Sequence, residues 1–313
     1  MISQYFSKLN SVSKIILTLL VVVLVFLFTF FLGVMLVLPF FNVSLTDLDE
    51  YLNQVSSQNI MLLKLLQIIQ AFGLFIFPAL ICAFLFGRSI AEYLYLKGKT
   101  SAISIVLVIV IIISIVPFIN FLSFVNSQMS LPESLSALET WMKTSEARAM
   151  QLTESFLNVS TIGGLLLNIF MIAVLPAIGE EFLFRGIIQR LFTEWTKNIH
   201  WGVLIAAAIF SGFHMQFYGF IPRLLLGVMF GYMLVWSKSM WLPVLAHFIN
   251  NVMAVISYYL INTGQISKSV ENIGADYTMA IPALISLLIS AVVFYLLLKF
   301  EKQNKNTITE VKI

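Results

Sequence analysis

Long apolar runs dominate the chain and predict its helices. Four of them are uninterrupted and lie near 15–41, 60–86, 101–125 and 280–299. Charged residues and histidines divide a fifth apolar region into spans near 161–180, 201–217, 222–237 and 240–260. A helix that rises about 1.5 Å per residue needs runs of roughly this length to cross about 30 Å of hydrocarbon. The sequence therefore predicts an all-α fold, a polytopic integral membrane bundle of about eight transmembrane helices.

The segment 126–160 is a long polar stretch between two of these spans. Apolar side chains recur in it every three to four residues beside charged ones: Leu135, Leu138, Trp141 and Met142. This pattern predicts an amphipathic helix that lies on the membrane surface. On pattern alone, an interfacial connector is favoured over a lid above an active site.

The polar residues that membrane spans seldom contain all fall between 180 and 251. We therefore expect a membrane core at 160–300. It is preceded by an N-terminal membrane region, 1–159, with three transmembrane helices and the amphipathic segment. A short polar cytoplasmic tail, 301–313, follows the core.

The composition agrees with a membrane protein. Hydrophobic residues make up 60% of the 313 positions and charged residues 11%, whereas soluble proteins are about half apolar and a quarter charged. The net charge of +3 comes without a run of Lys and Arg interleaved with aromatics, so we expect no nucleic-acid partner. A single cysteine, Cys82, cannot build a disulfide framework or a thiolate metal site within the chain.

The Lys and Arg residues predict the orientation of the chain. With the N-terminus inside, thirteen of them are assigned to the cytoplasmic side and five to the other side. Because cytoplasmic loops carry the excess of these residues, both termini are predicted to be cytoplasmic. The composition is compatible with a bacterial plasma membrane.

Ionisable residues at membrane depth are costly and point to function. In the first of three clusters, Glu181 and Arg185 are four residues apart on one helix face and are predicted to form an ion pair. Glu180 is rotated by about 100° from its neighbour around a helix of about 3.6 residues per turn. It can therefore point elsewhere and is left free for acid–base chemistry.

The other two clusters each contain a histidine. Phe210 precedes His214 by one turn at the end of an apolar run. His247 precedes Asn251 by one turn, so both can point donors at one spot, as an oxyanion formed in acyl transfer requires. Taken singly, the three clusters could be a juxtamembrane ion pair, an interior histidine and a polar contact between helices. Their combination in one apolar region favours a functional site.

Other protease chemistries lack their residues in this sequence. There is no His-Glu-x-x-His pair for a zincin and no Gly-x-Ser-x-Gly elbow for a serine hydrolase. An aspartate dyad is excluded, since Asp47, Asp49 and Asp276 all fall in predicted loops.

Three motifs, in this order and in membrane spans, resemble those of the CPBP family: Glu180-Glu181-x-x-x-Arg185, Phe210-x-x-x-His214 and His247-x-x-x-Asn251. This family comprises the CAAX proteases and bacteriocin-processing enzymes, also called Abi proteins. The resemblance implies an intramembrane endopeptidase that acts on a membrane-associated or lipidated, CAAX-like protein or peptide. We expect the scissile bond close to the cytoplasmic membrane face, where the predicted span ends.

The resemblance also implies roles for individual residues. Glu180 is the general base that activates water, and His214 holds that water. His247 and Asn251 form the oxyanion hole. The structural support comes from Glu181, Arg185 and Phe210. This mechanism needs no cofactor.

An alternative keeps the same residues but places a zinc ion in the site, and water bound to the zinc attacks the substrate. Its ligands would be Glu180, His214 and His247. Two non-catalytic hypotheses also stay open: a membrane immunity or scaffold protein that binds a peptide or lipid, and a transporter with a proton relay. No motif identifies the substrate or shows whether it is prenylated.

Overall fold

The computed structural model describes residues 6–48, 51 and 59–310, without the side chains of 271–272 and 304–310, and this part of the chain is helical. In chain order the helices are α1 (Ser11–Phe41), α2 (Ile60–Phe86), α3 (Ala102–Ser127), α4 (Ser136–Leu157), α5 (Ile162–Thr196), α6 (Ile199–Phe213), α7 (Phe220–Ser237), α8 (Trp241–Asn262) and α9 (Ala280–Glu310). Seven of these described helices, all but α4 and α6, are long and apolar enough to cross a membrane. The predicted polytopic membrane bundle is confirmed.

Most predicted spans correspond to one helix, but the span 161–180 is wrong at its end, because α5 continues to Thr196. The prediction ended the span at Glu180 because charged residues follow. In the structure Glu181 pairs with Arg185 inside the bundle, at 2.9 Å, so these charges do not stop the helix. Arg185 was assigned to the cytoplasmic side, and it is instead buried.

The helix α6 by itself is shorter than the hydrocarbon core of a bilayer. Its 15 residues extend about 22 Å, less than the roughly 30 Å of a hydrocarbon core. The predicted span 201–217 is therefore too long at its end, since α6 stops at Phe213 and irregular backbone carries His214. Irregular backbone at membrane depth is stable only where it is buried in protein or lines a water-filled cavity. A cavity is thus expected where α6 ends.

Two neighbouring helices depart from regular α geometry. Helix α2 is π-helical at Phe72–Ile76, and α5 is π-helical at Ile169–Val174 and Glu181–Ile188. Gly179 allows α5 to approach α2 closely, since a Cβ built on this glycine would lie 2.9 Å from the Cβ of Phe75. Such π-helical turns occur frequently at functional sites. Here they flank the first cluster of predicted site residues.

One end of the bundle, which we call the basic end, carries the connections α2–α3, α5–α6 and α7–α8. The α2–α3 connection accepts hydrogen bonds from the α7–α8 connection and the start of α8: Ser239 Oγ donates to the carbonyl of Gly98 at 2.9 Å and Trp241 Nε1 to that of Leu96 at 3.0 Å. Most described Lys and Arg residues outside the bundle interior lie at or near this end: Lys8, Lys14, Arg88, Lys97, Lys99, Arg190, Lys197, Lys238, Lys299 and Lys302. This end is the one that the charge count assigns to the cytoplasm.

The opposite end, which we call the loop end, carries α4 and the connections α6–α7 and α8–α9. Hydrogen bonds join these parts, since Tyr218 N donates to Glu146 at 3.0 Å and Asn262 Nδ2 to the carbonyl of Leu157 at 3.2 Å. The amphipathic helix predicted in 126–160 is present as α4. It packs against α2, α5 and α8.

The expected tail differs from the structure. Residues 301–310 continue α9 as helix, and 311–313 lie outside the described residues. Glu301 is buried and accepts a hydrogen bond from Ser104 Oγ at 2.5 Å. The beginning of the tail therefore belongs to the α3–α9 pair.

Candidate active site

The three predicted clusters meet at one cavity of about 580 Å³. Its lining includes five of the predicted residues: Glu180, Phe210, His214, His247 and Asn251. Residues of α2, α4 and α7 complete it. The cavity therefore reaches from the middle of α5 to α4 at the loop end.

Glu181 does not line this cavity, because protein groups occupy it. Its Oε1 lies 2.9 Å from Arg185 Nη1 and 2.9 Å from Nδ1 of His247. The contact with Arg185 is an ion pair whose angle is not that of a hydrogen bond. Arg185 Nη2 also donates to the carbonyl of Gly227 at 3.4 Å, and its guanidinium lies 4.4 Å from the ring of Phe210. The ion pair predicted between Glu181 and Arg185 is therefore present.

Glu180 points away from this ion pair and into the cavity. Its Oε2 lies 3.9 Å from His247 Nε2 and has no hydrogen-bond partner among the described residues. Glu180 lies about 27 Å along α5 from Ile162 and about 24 Å from Thr196, at 1.5 Å per residue. Glu180 therefore lies near the middle of α5 and not at its end, where the predicted span had placed it. The carboxyl group lines the cavity, and Oε2 itself is a buried atom without a hydrogen-bond partner among the described residues.

His214 is held by the last turn of α6. Its Nδ1 lies 2.9 Å from the carbonyl oxygen of Phe210, and a carbonyl only accepts, so Nδ1 carries the proton. In the neutral ring, Nε2 is then an acceptor. The ring also packs edge-on against Phe210, with centroids 5.0 Å apart. Phe210 thus fixes one orientation of the imidazole through both its carbonyl and its ring.

His247 is oriented by the neighbouring carboxylates and by two rings. Nδ1 donates to Glu181, and the imidazole stacks on Phe230 with centroids 5.5 Å apart. Phe210 packs edge-on at 6.0 Å. Because Nδ1 is occupied, the ring can donate to a substrate only from Nε2, and only as the imidazolium. Nε2 is the nitrogen on the side of Glu180.

Asn251 is held at both ends of its amide. Its Nδ2 donates to the carbonyl of Ile172 at 3.0 Å, and its Oδ1 accepts from Asn250 Nδ2 at 3.1 Å. Ile172 belongs to the first π-helical stretch of α5. One N–H of the Asn251 amide stays available, since a primary amide has two.

The cavity also contains polar residues that were not among the predicted site residues: Gln67, Gln70, Gln216, Arg223 and Asn250. The charge of Arg223 inside an apolar span is the same signal that identified Glu180. The sequence analysis instead counted Arg223 among the five Lys and Arg residues on the non-cytoplasmic side, at the start of the predicted span 222–237. The glutamines carry no comparable signal, because the sequence does not show which helix face meets the cavity.

The zinc alternative finds no support in the arrangement of donors. Within residues 6–48, 51 and 59–310, no three His, Cys, Asp or Glu side chains form a group that could hold a metal ion. The three residues proposed as ligands, Glu180, His214 and His247, therefore do not fit a zinc site as positioned. Of the aspartates, Asp47 and Asp276 lie in connections, and Asp49 lies outside the described residues.

Comparisons with known proteins agree with this geometry. A family model described as type II CAAX prenyl endopeptidase Rce1-like matches residues 162–253. The chain is therefore similar to this family over residues 162–253. The matched residues include every residue of the three predicted motifs. The resemblance to the CPBP family is therefore confirmed over residues 162–253.

Two bacterial proteins are similar to the chain over parts of their length. The membrane-embedded CAAX protease MroQ of Staphylococcus aureus (strain USA300) is 31% identical over 120 residues, which cover 36% of this chain and 48% of MroQ. The uncharacterized protein YpbD of Bacillus subtilis (strain 168) is 32% identical over 82 residues, or 26% of this chain and 41% of YpbD. The chain thus spans about half the length of these relatives. No solved structure matches it at comparable significance.

Proposed function

We propose that the chain is an intramembrane endopeptidase in which Glu180 activates water to hydrolyse a peptide bond. The observation that carries this proposal is the difference between two adjacent glutamates. Glu181 is fully buried against Arg185 and His247, whereas Glu180 lines the cavity and keeps 11% of its side chain exposed. A general base must reach the proton that it removes. Only Glu180 meets this condition.

Hydrolysis would use the groups around the cavity in sequence. His214 Nε2 accepts one hydrogen bond from a water molecule, and Glu180 removes the other proton as the oxygen attacks the carbonyl carbon. Glu180 then gives that proton to the amine as the C–N bond breaks. No proton is gained or lost by the enzyme over one turnover, so the cycle closes.

The oxyanion formed during attack needs donors that are already in place. Asn251 offers its remaining N–H, because its other amide groups are bound by Ile172 and Asn250. His247 offers Nε2–H as the imidazolium, whose charge the carboxylates of Glu180 and Glu181 stabilise. Both donors lie on one face of α8.

The substrate class is inferred from the relatives. The matching family model is described as type II CAAX prenyl endopeptidase Rce1-like, and MroQ is named a CAAX protease. From these descriptions we propose that this chain also cleaves a membrane-anchored or lipidated peptide. The matches to bacterial proteins support a location in a bacterial plasma membrane.

The orientation follows from the charge distribution. We propose that the basic end and both termini face the cytoplasm, because Lys and Arg are concentrated at that end. The cavity reaches α4 at the loop end. It would therefore open away from the cytoplasm, and a scissile bond near the cytoplasmic face is not consistent with cytoplasmic termini.

The test is cleavage of a mixed library of lipidated and membrane-anchored peptides by the purified chain in detergent, followed by mass spectrometry. We expect Glu180→Gln to lower turnover at least about 100-fold, the usual size of a general-base effect, with unchanged thermal unfolding. Glu154→Gln on the exposed face of α4 is the matched control and should retain full activity.

Each result has a distinct meaning. Full activity of Glu180→Gln would show that another group activates the water. Activity lost with a chelator would revive the zinc alternative, and activity that survives chelation supports the glutamate mechanism. If no peptide in the library is cleaved, the immunity or scaffold hypothesis becomes the better explanation.

A further inference from the structure

Arg223 places a positive charge in the cavity that the proposed hydrolysis does not use. It lies in the first turn of α7, half-buried, and lines the cavity together with Glu180 and His214. No carboxylate of the described residues lies within ion-pair distance of its guanidinium. The charges of Glu146 and Glu180 act on it only from beyond ion-pair distance, so the guanidinium can pair directly with an anion that enters the cavity.

The guanidinium of Arg223 is held in a fixed position. Its Nη1 donates to the carbonyl of Gln216 at 3.1 Å, and its Nη2 donates to the side-chain oxygen of the same glutamine. Both of these acceptors are neutral, so the charge is not compensated by them. A planar guanidinium presents five donors in a rigid fork, and two contacts leave others free.

Gly219 provides the surface on which this guanidinium lies. A Cβ built on Gly219 would be 2.5 Å from Nη1 and 2.9 Å from Cζ of Arg223. The backbone of Gly219 has φ of −107° and ψ of 9°, a conformation that alanine also adopts. Alanine there would thus displace the guanidinium without straining the backbone or changing the charge.

The cavity is therefore polarised, since Glu180 supplies negative charge and Arg223 positive charge to the same space. A substrate with a carboxylate would be repelled by the first and bound by the second. Arginine binds carboxylates through two parallel hydrogen bonds, which fix direction as well as position. A peptide anchored in this way has its chain direction set relative to Glu180 and His214.

We propose that Arg223 is a specificity residue that binds a carboxylate of the peptide substrate. The inference rests on the proposed function, since the ligand is the peptide that is cleaved. Two sources share this chemistry, the C-terminal carboxylate of a peptide cut near its end and an acidic side chain. A purely structural role, joining α7 to the α6–α7 connection through Gln216, is the competing explanation.

The experiment measures binding, so that it does not depend on cleavage. The probe is an N-palmitoylated, fluorescently labelled apolar pentapeptide, made as the free acid, as the C-terminal amide, and as an amide with one aspartate. Fluorescence anisotropy gives the Kd of each probe for the full chain in detergent, in a Glu180→Gln background that prevents turnover. Arg223→Gln and Gly219→Ala are compared with Arg148→Gln, an exposed arginine of α4 outside the cavity lining.

We expect the free acid to bind about ten- to hundredfold more tightly than the amide, the usual size of a charge-assisted hydrogen bond. Arg223→Gln should bind the free acid and the amide with equal Kd. Gly219→Ala should reduce the difference between the two Kd values, and Arg148→Gln should leave it unchanged. Tight binding of the aspartate amide would identify a side-chain carboxylate as the ligand. A structural role would instead lower the unfolding temperature and weaken all three probes equally.

Three outcomes would overturn the inference: equal affinity for acid and amide in the parent, survival of the ratio in Arg223→Gln, or no binding of any probe. The proposed function fails differently. In that case the unmutated chain would cleave no peptide of the library, while the binding ratio could still be present and still depend on Arg223.

Discussion

Glu180 is the residue on which the proposed chemistry depends, and its Oε2 has no hydrogen-bond partner among the described residues. Glu180, Glu181 and Arg185 are buried together, so two carboxyl groups share one guanidinium. Glu181 Oε1 forms an ion pair with Arg185 and accepts a hydrogen bond from His247 Nδ1, at 2.9 Å each. Its position is therefore fixed, and Glu180 is left as the carboxylate that can exchange protons with the cavity.

The substitution Arg185→Ala should destabilise the protein strongly. It leaves Glu181 buried without its ion pair, which typically costs about 3–5 kcal/mol. It also removes the guanidinium from its contact with Phe210 at 4.4 Å. Thermal unfolding in detergent, followed by circular dichroism, measures the effect. Arg148→Ala on the surface of α4 should unfold at the same temperature as the unmutated chain, and an equally stable Arg185→Ala would contradict the role of the buried pair.

Sequence spacing predicted the part of this cluster that is local. Glu181 and Arg185 are one helical turn apart, so their contact follows from helix geometry alone. The bond between His247 and Glu181 joins residues 66 positions apart. It depends on how α8 packs against α5, and no periodicity in the sequence encodes that distance. For the same reason Arg223 was not predicted to face the cavity.

At the scale of elements, the site depends on the close approach of α5 to α2. Between its two π-helical stretches, helix α5 has only six residues of regular α-helix, Leu175–Glu180. Hydropathy predicted that this helix exists, but it did not predict where the helix ends. Ionisable residues usually mark the end of a membrane span, and the sequence does not show that Glu181 and Arg185 pair inside the bundle. The π-helical stretches leave no sequence pattern, since they arise from packing.

The substitution Gly179→Ala should disturb this approach. The added methyl would lie 2.9 Å from the Cβ of Phe75, an atom too close to the backbone to move freely. Overpacking of this kind costs about 1–3 kcal/mol, and we expect lower peptide cleavage as well, because Glu180 is the next residue. The unfolding temperature and turnover of the purified variant measure both effects.

A control for this prediction lies on the same helix. A Cβ built on Gly163 has no heavy atom within 4 Å, so Gly163→Ala should be neutral or stabilise by up to about 1 kcal/mol through helix propensity. If Gly179→Ala and Gly163→Ala behaved alike, the close contact of α5 with α2 would not matter to the site.

At the scale of the whole molecule, two expectations that agree in the sequence come into conflict in the structure. Charge distribution places both termini in the cytoplasm, while the predicted end of the fourth span placed the chemistry near the cytoplasmic face. The structure moves Glu180 to the middle of α5 and extends the cavity to α4 at the loop end. Since the basic end and the loop end are opposite, the proposed orientation makes the cavity accessible from the extracytoplasmic side. The conflict arose because a sequence gives the order of spans but not the depth of a residue within a longer helix.

Cysteine labelling in intact bacterial cells tests this orientation. The single native cysteine, Cys82, is fully buried, so a membrane-impermeant maleimide should give little background. Thr144→Cys marks α4 at the loop end, and Thr100→Cys is its match in the α2–α3 connection at the basic end. We expect Thr144→Cys to react in intact cells and Thr100→Cys only after permeabilisation. The reverse pattern would place the loop end in the cytoplasm, and the enzyme would then act on cytoplasmic segments of membrane-anchored peptides rather than on exported ones.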